Sequence, residues 1–294
     1  MNLFSISEIA RFSGLKPHTI RIWEKRYNAL NPGRSTGNTR YYDNSQLRRL
    51  LNIVSLTECG YKLPDICAMT DKKLFSVINE INETTSQNES TNYFIHQLIE
   101  AGMSFSEQHF EKIFSHCLIR FGIKNAYIQV IYPMLSRIGV LWSIDDIAPA
   151  NEHFISNLLR QKLFTAINSL PPPTLADTWL LFLPEDEFHE IGLLLANYLI
   201  RLSGKKVIYL GSNVPLQSIA VVTEQTKPDN LLLFVVRHDL PAHLKKYCNK
   251  LVKTFTGQAI YVAGNEKLIA HLKPYKKIKL LTDIKSLEEK LSFV

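Results

Sequence analysis

The spacing of apolar positions divides this chain into three parts. Apolar residues recur at every third or fourth position up to about residue 75 and again from residue 93 to 170, which is typical of amphipathic helices. After residue 175, short continuous apolar runs alternate with such helical segments. Because continuous runs bounded by turn residues are typical of buried strands, the pattern predicts a multidomain protein with α and α/β parts.

The first part begins with two short helices joined by a tight turn. Ser5 and Glu8 have the spacing of a capping box at the start of the first helix, and Gly14 marks the turn. Pro17 starts the second helix, whose inward face carries Ile20. Its outward face carries polar and basic residues, namely His18, Thr19, Arg21, Lys25 and Arg26. This arrangement predicts a helix-turn-helix with a basic recognition helix.

A β-wing with a Gly-Asn tip is predicted next. Arg34, Arg40 and Tyr41 place two cations and an aromatic ring on this wing, which suits contact with DNA phosphates. Residues 1–75 hold 12 Lys and Arg against 6 Asp and Glu, so positive charge is concentrated where the wing and the basic helix lie. A local excess of this kind favours a polyanionic partner.

Residues 3 to about 70 resemble the winged-helix domain of MerR-type regulators. The resemblance rests on Ile6-Ser-Glu-Ile-Ala, Thr19-Ile-Arg-Ile-Trp-Glu-Lys-Arg-Tyr, Arg40-Tyr-Tyr and the helix predicted from Leu47 to Gly60. In that family the second helix lies in the major groove and the wing contacts the flanking backbone. The resemblance therefore implies double-stranded DNA as partner, with contacts by Thr19, Arg21, Arg26, Arg40 and Tyr41. We include His18, Lys25 and Arg34 of the same surface as candidates.

A polar stretch, Asn82–Asn92, contains no apolar residue and predicts a linker. Helical spacing then predicts a four-helix bundle from Tyr93–Ala101, Ser106–Phe121, Ala126–Leu141 and Ala150–Ile167. Pro171-Pro-Pro-Thr separates this bundle from the last part. The predicted organisation is a winged-helix domain at 1–75, a linker at 76–92, a bundle at 93–170 and an α/β domain at 175–294.

The last part alternates strands and helices. Strands are predicted at Thr178–Leu183, Lys206–Leu210, Asn230–Val236, Ala259–Ala263 and Ile278–Leu281. Helices are predicted at Gly192–Leu202, Leu216–Gln225, Pro241–Phe255, Glu266–Leu272 and Ser286–Phe293. Such alternation predicts a doubly wound, flavodoxin-like, five-stranded parallel sheet, a fold that binds ligands outside the carboxyl ends of its strands.

His189 follows the first of these strands, in the sequence Glu187-Phe-His-Glu-Ile-Gly. An imidazole at this place is directed at whatever binds at the sheet edge. Glu187 could accept the second ring N–H and orient the imidazole toward a metal, and Gly192 would let a planar group approach the backbone. The competing interpretation of so short a pattern is a loop histidine among exposed acidic residues.

A second candidate group lies between the third and fourth predicted bundle helices. Trp142 is followed after nine residues by Glu152 and His153. Taken alone, these residues favour a core tryptophan and a capping or solvated pair at a helix start.

The bundle, the doubly wound sheet and Glu-x-His-x-x-Gly together resemble the cobalamin-binding module of corrinoid proteins. With the winged helix in front, the chain is similar from end to end to the cobalamin-dependent, light-responsive MerR regulators of the CarH and LitR type. The resemblance implies adenosylcobalamin or methylcobalamin as cofactor, with His189 as the lower axial cobalt ligand and Glu187 and Gly192 in the same motif. It implies that Trp142, Glu152 and His153 cover the upper face.

The later loops match that family unevenly. The segment Tyr209-Leu-Gly-Ser-Asn-Val-Pro agrees with it, which adds Ser212 and Val214 to the implied cofactor site. After the fourth strand, the usual Gly-Gly is Ala263-Gly264, and after the third, Val235-Val-Arg-His-Asp stands where a small hydroxyl residue is usual near the nucleotide tail. Ser143 replaces the histidine that captures cobalt after photolysis, which implies an altered light response.

We therefore expect a DNA-binding transcriptional regulator, a repressor, that senses cobalamin through ligand-controlled oligomerisation as a dimer or tetramer. Two alternatives remain: a cobalamin-independent regulator whose second half is an oligomerisation or partner module, and a corrinoid enzyme subunit, against which the basic helix argues. The sequence has no Walker loop, nucleophile elbow or paired catalytic carboxylates. It has no signal peptide and no apolar run long enough for a membrane span, so a cytoplasmic protein is expected.

Overall fold

The computed structural model describes residues 3–35, 38–83, 91–142, 149–236, 241–264, 266–273 and 275–291. Their contacts divide into two compact units, Met1–Leu158 and Leu159–Val294. The first unit holds the amino-terminal helices and most of the bundle, and the second holds the end of the last bundle helix and the parallel sheet. Among the described residues, no helix has the length and apolar character that crossing a membrane requires.

The helix-turn-helix and the wing form as predicted. They comprise α1 (Ile6–Ser13), α2 (Pro17–Tyr27), β1 (Gly33–Arg34), β2 (Arg40–Tyr41) and α3 (Asn44–Glu58). The capping box of α1 is present, since Ser5 Oγ accepts the N–H of Glu8 and the Glu8 carboxylate accepts the N–H of Ser5. Gly14 ends α1 with φ of 70°, a left-handed conformation that favours glycine. The wing strands pair in antiparallel fashion.

Two further helices follow, α4 (Leu63–Cys67) and α5 (Asp71–Glu83). We call helices α1 to α5, together with the wing, the head. The prediction of a linker from residue 76 is wrong for its first part, because α5 continues to Glu83 with Val77 and Ile78 buried. Residues 84–90 of that linker lie outside the described residues. Arg49 of α3 ties these elements together by donating to the carbonyls of Ala29, Cys67 and Met69. This arginine therefore has a structural role.

The bundle consists of α6 (Thr91–Met103), α7 (Glu107–Ala126), α8 (Tyr132–Trp142) and α9 (Pro149–Asn168). The predicted break before residue 126 takes another form. Helix α7 runs on to Ala126 and is kinked at Gly122, whose φ of 68° and ψ of 166° are non-helical. A π-helical turn, Tyr127–Ile131, then leads directly into α8. The four predicted helices are thus present, with a kink and a π turn where a break between the second and third was expected.

Within the first unit, helix α6 is buried from Tyr93 to Met103 and contacts the head with polar side chains. The Gln97 amide donates to Asn52 Oδ1 at 3.2 Å and to Ser55 Oγ at 2.9 Å on α3. Nearby, Nε2 of His96 lies 2.9 Å from the carbonyl oxygen of Ser13, the last residue of α1. Arg137 of α8 lies 3.1 Å from the same ring nitrogen. The head and the bundle therefore share a buried polar contact.

The second unit contains a five-stranded, all-parallel sheet. Its strands are β3 (Thr178–Phe182), β4 (Lys206–Gly211), β5 (Asn230–Val235), β6 (Ala259–Gly264) and β7 (Ile278–Leu281). Their spatial order, β4-β3-β5-β6-β7, is that of the flavodoxin-like fold. The intervening helices are α10 (Ile191–Leu202), α11 (Leu216–Thr226), α12 (Pro241–Thr254), α13 (Glu266–Ile269), a 3-10 turn at Ala270–Leu272, and α14 (Ile284–Leu291). The predicted fold class is confirmed.

Candidate functional sites

The recognition helix presents the predicted basic surface. His18, Arg21, Lys25 and Arg26 are exposed on α2, and Thr19 is partly exposed beside them. On the opposite face Ile20 is fully buried, and the neighbouring aromatic residues pack on the core formed by α3, α4 and α5. Helix α2 is thus held by its apolar face, while the cationic face remains open to a partner.

The wing residues have unequal surroundings. Arg40 Nε lies 3.2 Å from a carboxylate oxygen of Glu24, a side chain of α2 that is 9% exposed. The Tyr42 hydroxyl donates to the same carboxylate at 2.5 Å, and its pKa is raised by burial and by Glu24. Arg40 therefore fixes the wing to the recognition helix, in addition to any contact with DNA. Arg34 is exposed and donates to Asn38 Oδ1 at 2.5 Å within the wing, and the exposed Tyr41 packs over Gly33.

His189 lies at the carboxyl edge of the sheet with its ring oriented by Glu187. Its Nδ1 is 2.5 Å from Oε1 of Glu187, and the two side chains are 39% and 5% exposed. The carboxylate is itself fixed, because it accepts the backbone N–H groups of Phe188, His189 and Val236. With the ring proton on Nδ1 facing Glu187, Nε2 carries the lone pair that a metal needs. The predicted pairing of these two residues is confirmed.

Three charged and polar residues beside this pair were missed by the sequence prediction. Glu190, inside the His189 motif, lies 2.8 Å from a guanidinium nitrogen of Arg160 on α9. Its other oxygen accepts the Tyr209 hydroxyl at 2.8 Å, and burial together with this carboxylate raises the pKa of Tyr209. The Arg160 Nε is buried and has no hydrogen-bond partner among the described residues. Because these partners lie far apart in the chain, only the position of Glu190 within the motif could have drawn attention to it.

The remaining candidate residues of the second unit differ in exposure. Ser212 is half-buried, and Gly264 lies so close to β5 that a Cβ there would be 2.0 Å from the carbonyl oxygen of Val235. Val214 belongs to the core of the sheet, where it packs among buried aliphatic residues. The space that Gly192 was predicted to leave for a planar group is occupied by the ring of Phe234. The structure thus assigns Val214 a packing role and fills the space at Gly192 from within the chain.

In the first unit, Trp142 is the last residue of α8, and Glu152 and His153 lie in the first turn of α9. The His153 ring nitrogen Nδ1 is 3.2 Å from a Glu152 oxygen, and the two side chains are 68% and 21% exposed. An exposed His153 beside a half-buried Glu152 at a helix start agrees with the solvated-pair interpretation and leaves the imidazole accessible to a ligand. Ser143, and residues 237–239 of the segment after β5, lie outside the described residues.

An open cleft of about 330 Å³ lies at the opposite, amino-terminal edge of the sheet. Both carboxylates that line it are already paired, since Asp177 accepts from the Trp179 indole, Lys205 and Asn230, and Asp229 accepts the backbone N–H of Thr178. In doubly wound folds, ligands bind at the carboxyl edge. We therefore place the candidate site at His189 rather than in this cleft.

Comparisons with known proteins agree with the division of the chain. Residues 4–73 match the family of MerR HTH family regulatory proteins, and residues 94–166 match the B12 binding domain. These matches define the class: the chain combines a MerR-type helix-turn-helix with a B12-binding domain. It is homologous to two repressors of Myxococcus xanthus, the HTH-type transcriptional repressors CarH and CarA.

The two repressors match at low identity over most of their length. CarH is 23% identical over 77% of this chain and 76% of its own, and CarA is 23% identical over 88% of this chain and 85% of its own. Among solved structures, the monomethylamine corrinoid protein of Methanosarcina barkeri superposes with a TM-score of 0.50 at 13% identity, over 70% of this chain and all of that chain. The last likeness concerns the fold alone.

Proposed function

We propose that this protein is a DNA-binding transcriptional regulator that senses cobalamin. The observation that carries the proposal is the oriented imidazole of His189 at the carboxyl edge of the sheet, in a chain that also presents an exposed basic recognition helix. A methyl-carrying enzyme subunit has no use for such a helix, and the homologues are named transcriptional repressors. The corrinoid-enzyme alternative is therefore the weaker one.

The proposed DNA contacts follow from the exposed face of α2. Arg21 and Arg26 present guanidinium groups that bind guanine edges or phosphates, and His18, Thr19 and Lys25 lie on the same face. Arg34 and Tyr41 on the wing would contact the flanking backbone, with Arg40 holding the wing against α2. In this arrangement the helix reads sequence and the wing fixes register.

The residues at the sheet edge fit the lower side of a corrin. A neutral imidazole is a good cobalt ligand, and Glu187 holds the His189 ring with Nδ1 turned inward. When bound, cobalamin supplies a weak cobalt–carbon bond to its upper ligand. We propose Ser212 and Gly264 as contacts for the remainder of the cofactor, and Trp142, Glu152 and His153 as contacts for its upper ligand. Occupancy of the site would then control oligomerisation and operator binding.

Corrin binding can be measured directly. The purified protein is mixed with adenosylcobalamin in darkness, freed of unbound ligand by gel filtration, and examined by visible absorption. Retention of the corrin spectrum by the wild type and its loss in His189→Ala is the expected result. His271→Ala, at an exposed position in the 3-10 turn, is the matched control and should retain the cofactor. Equal retention by all three proteins would refute the role of His189.

DNA binding is tested with duplexes selected from a randomised library by the purified protein. We expect a selected duplex to be bound at lower protein concentration than an unselected one, and adenosylcobalamin to change both this affinity and the mass in solution. Absence of any selected sequence would contradict the regulator assignment.

A cobalamin-independent regulator is the second candidate, and one observation favours it. The Phe234 ring occupies the space that Gly192 leaves at the proposed cofactor site. This candidate predicts unimpaired selection of DNA by a protein that retains no corrin. The two measurements above therefore separate the candidates.

A further inference from the structure

The space beside Gly192 is filled by an aromatic side chain of the protein itself. Gly192 is the second residue of α10, and a Cβ built on it would lie 2.7 and 2.9 Å from two ring carbons of Phe234. These distances are shorter than normal carbon contacts, so the ring rests where any other residue at 192 would place its side chain. Phe234 is half-buried near the carboxyl end of β5.

This ring lies at the point of the sheet where ligands bind. Strands β3 and β5 are neighbours, and the chain visits β4 on the other side of β3 between them, so the strand order reverses at the β3–β5 gap. Open α/β sheets bind ligands in the crevice at such a reversal. Glu187 spans the same gap, because its Oε2 accepts the N–H of Val236, two residues after Phe234. Phe234 therefore lies beside the residues that hold His189.

The chemistry of cobalamin explains why an aromatic ring at the position of Phe234 would matter. Complete cobalamin carries a benzimidazole base on a nucleotide tail, and in the free cofactor this base occupies the lower axial position of cobalt. If His189 held the cobalt, its imidazole would take the place of this base, and the protein would have to accommodate the base elsewhere. Cobinamide, a corrinoid without the nucleotide, presents an open lower face and has no base to house.

Resting on the proposed function, we infer that Phe234 sets the corrinoid specificity of the site by excluding the displaced base. The site then binds corrinoids that lack the nucleotide in preference to complete cobalamin. Removing the ring would open the crevice between β3, β5 and α10 to a planar base. The preference depends on the Phe234 side chain alone, because Gly192 has no side chain that would block the base.

The experiment uses the full chain and compares two probes, aquacobalamin and diaquacobinamide, by titration followed through visible absorption. The wild type is expected to bind cobinamide at least about tenfold more tightly. Phe234→Ala should gain about tenfold or more in cobalamin affinity, with its cobinamide affinity little changed. Phe234→Val, which places a β-branched residue favourable to strands at this position, should shift the ratio in the same direction if the alanine variant does not fold. Phe255→Leu, a core change elsewhere in the sheet domain, should leave the ratio unchanged.

The outcomes separate the inference from the proposed function. Equal affinity of the wild type for both probes, or a ratio that Phe234→Ala and Phe234→Val do not alter, overturns the role of Phe234 while corrinoid binding stands. Failure of the wild type and both Phe234 variants to bind either probe overturns the proposed cofactor, and the specificity with it. Gain of cobalamin by the variants alone supports the exclusion of the base.

Discussion

Glu24 of the recognition helix and Arg40 of the wing form an ion pair across the head, with 3.2 Å between Arg40 Nε and the carboxylate. Because Tyr42 donates to the same carboxylate, the pair belongs to a small network rather than to an isolated surface contact. The wing is thus oriented by the helix that it flanks. A basic residue predicted to contact DNA also holds the fold together.

This relationship predicts that the arginines of the head differ in what they contribute. Arg21→Ala and Arg26→Ala should each weaken binding to a selected duplex by about 1–3 kcal/mol without lowering the melting temperature, because both side chains are exposed. Arg40→Ala should weaken binding and also lower the melting temperature, since it leaves Glu24 without its cation. Gel shift and thermal unfolding measure the two effects, and Lys253→Ala in α12 is a control expected to change neither. Equal melting temperatures for all variants would contradict the structural role of Arg40.

A second prediction concerns the carboxylate that orients His189. Glu187→Gln keeps the shape of the side chain but removes its charge and offers one oxygen where the carboxylate uses two. We expect cobalamin affinity to fall by about 10- to 100-fold, as for other residues that orient a metal-bound histidine. Glu185→Gln removes the same charge from an exposed position of the same loop and should have little effect. Similar losses in both variants would point to general electrostatics instead of orientation.

A third prediction is a loss of stability in acid that traces to His96. Burial, with a contribution from the Arg137 cation, lowers the pKa of His96 to about 3 from an ordinary value near 6.5. Below pH 6.5 the His96 ring is protonated in the unfolded chain but stays neutral in the folded chain. The contribution of the neutral His96 to the free energy of unfolding is therefore complete above pH 6.5. It is lost as the pH falls toward 3, at up to about 1.4 kcal/mol per pH unit.

The measurement is the free energy of unfolding in urea between pH 7 and 4.5 for the wild type and His96→Gln. The variant should show a shallower fall with decreasing pH. The neighbouring His109, with a pKa lowered to about 4, and Glu100, with a raised pKa, act in opposite directions and remain in both proteins. Parallel curves would exclude His96 as the titrating group.

The fourth prediction separates packing from ligand contact at Gly264. With φ of 131° and a Cβ position 2.0 Å from the Val235 carbonyl oxygen, Gly264→Ala should lower the free energy of unfolding by about 3 kcal/mol or more in the absence of any corrinoid. Gly257→Ala, where no atom of the part of the chain that the structure describes lies within 4 Å of the new methyl group, should be nearly neutral. Denaturant unfolding of the ligand-free proteins gives both values. A stable Gly264→Ala protein that fails only to bind cobalamin would assign this glycine to the ligand alone.

The sequence predicted the bounds of helices and strands best where several consecutive residues are buried. The strand Ile278–Leu281 has the predicted bounds, and β3 differs by one residue, because apolar runs bounded by turn residues leave little choice. The linker was predicted from its polar residues, and the prediction began too early because the apolar positions of α5 continue through Ile78. The kink in α7 depends on Gly122, a single residue that periodicity does not detect.

The sites were predicted where their residues are close in sequence. Glu187 and His189 are two residues apart, so their pairing could be derived from the motif. Other features depend on how segments distant in the sequence pack against each other. They are the contacts of Glu190, the ion pair of Arg40 with Glu24, and the ring of Phe234 beside Gly192. The residue type of Arg49 was a poor guide to its role. Arg49 adds to the positive charge of the head, yet its guanidinium donates to three backbone carbonyls.

Arg137 brings the bundle into contact with the turn of the helix-turn-helix. Its guanidinium lies 3.4 Å from where a Cβ would stand on Gly14, in the turn that sets the angle between α1 and α2. The same arginine belongs to α8, the helix that ends at Trp142. Helix α8 therefore lies against the turn between α1 and α2, so the head meets the bundle at this turn as well as at His96.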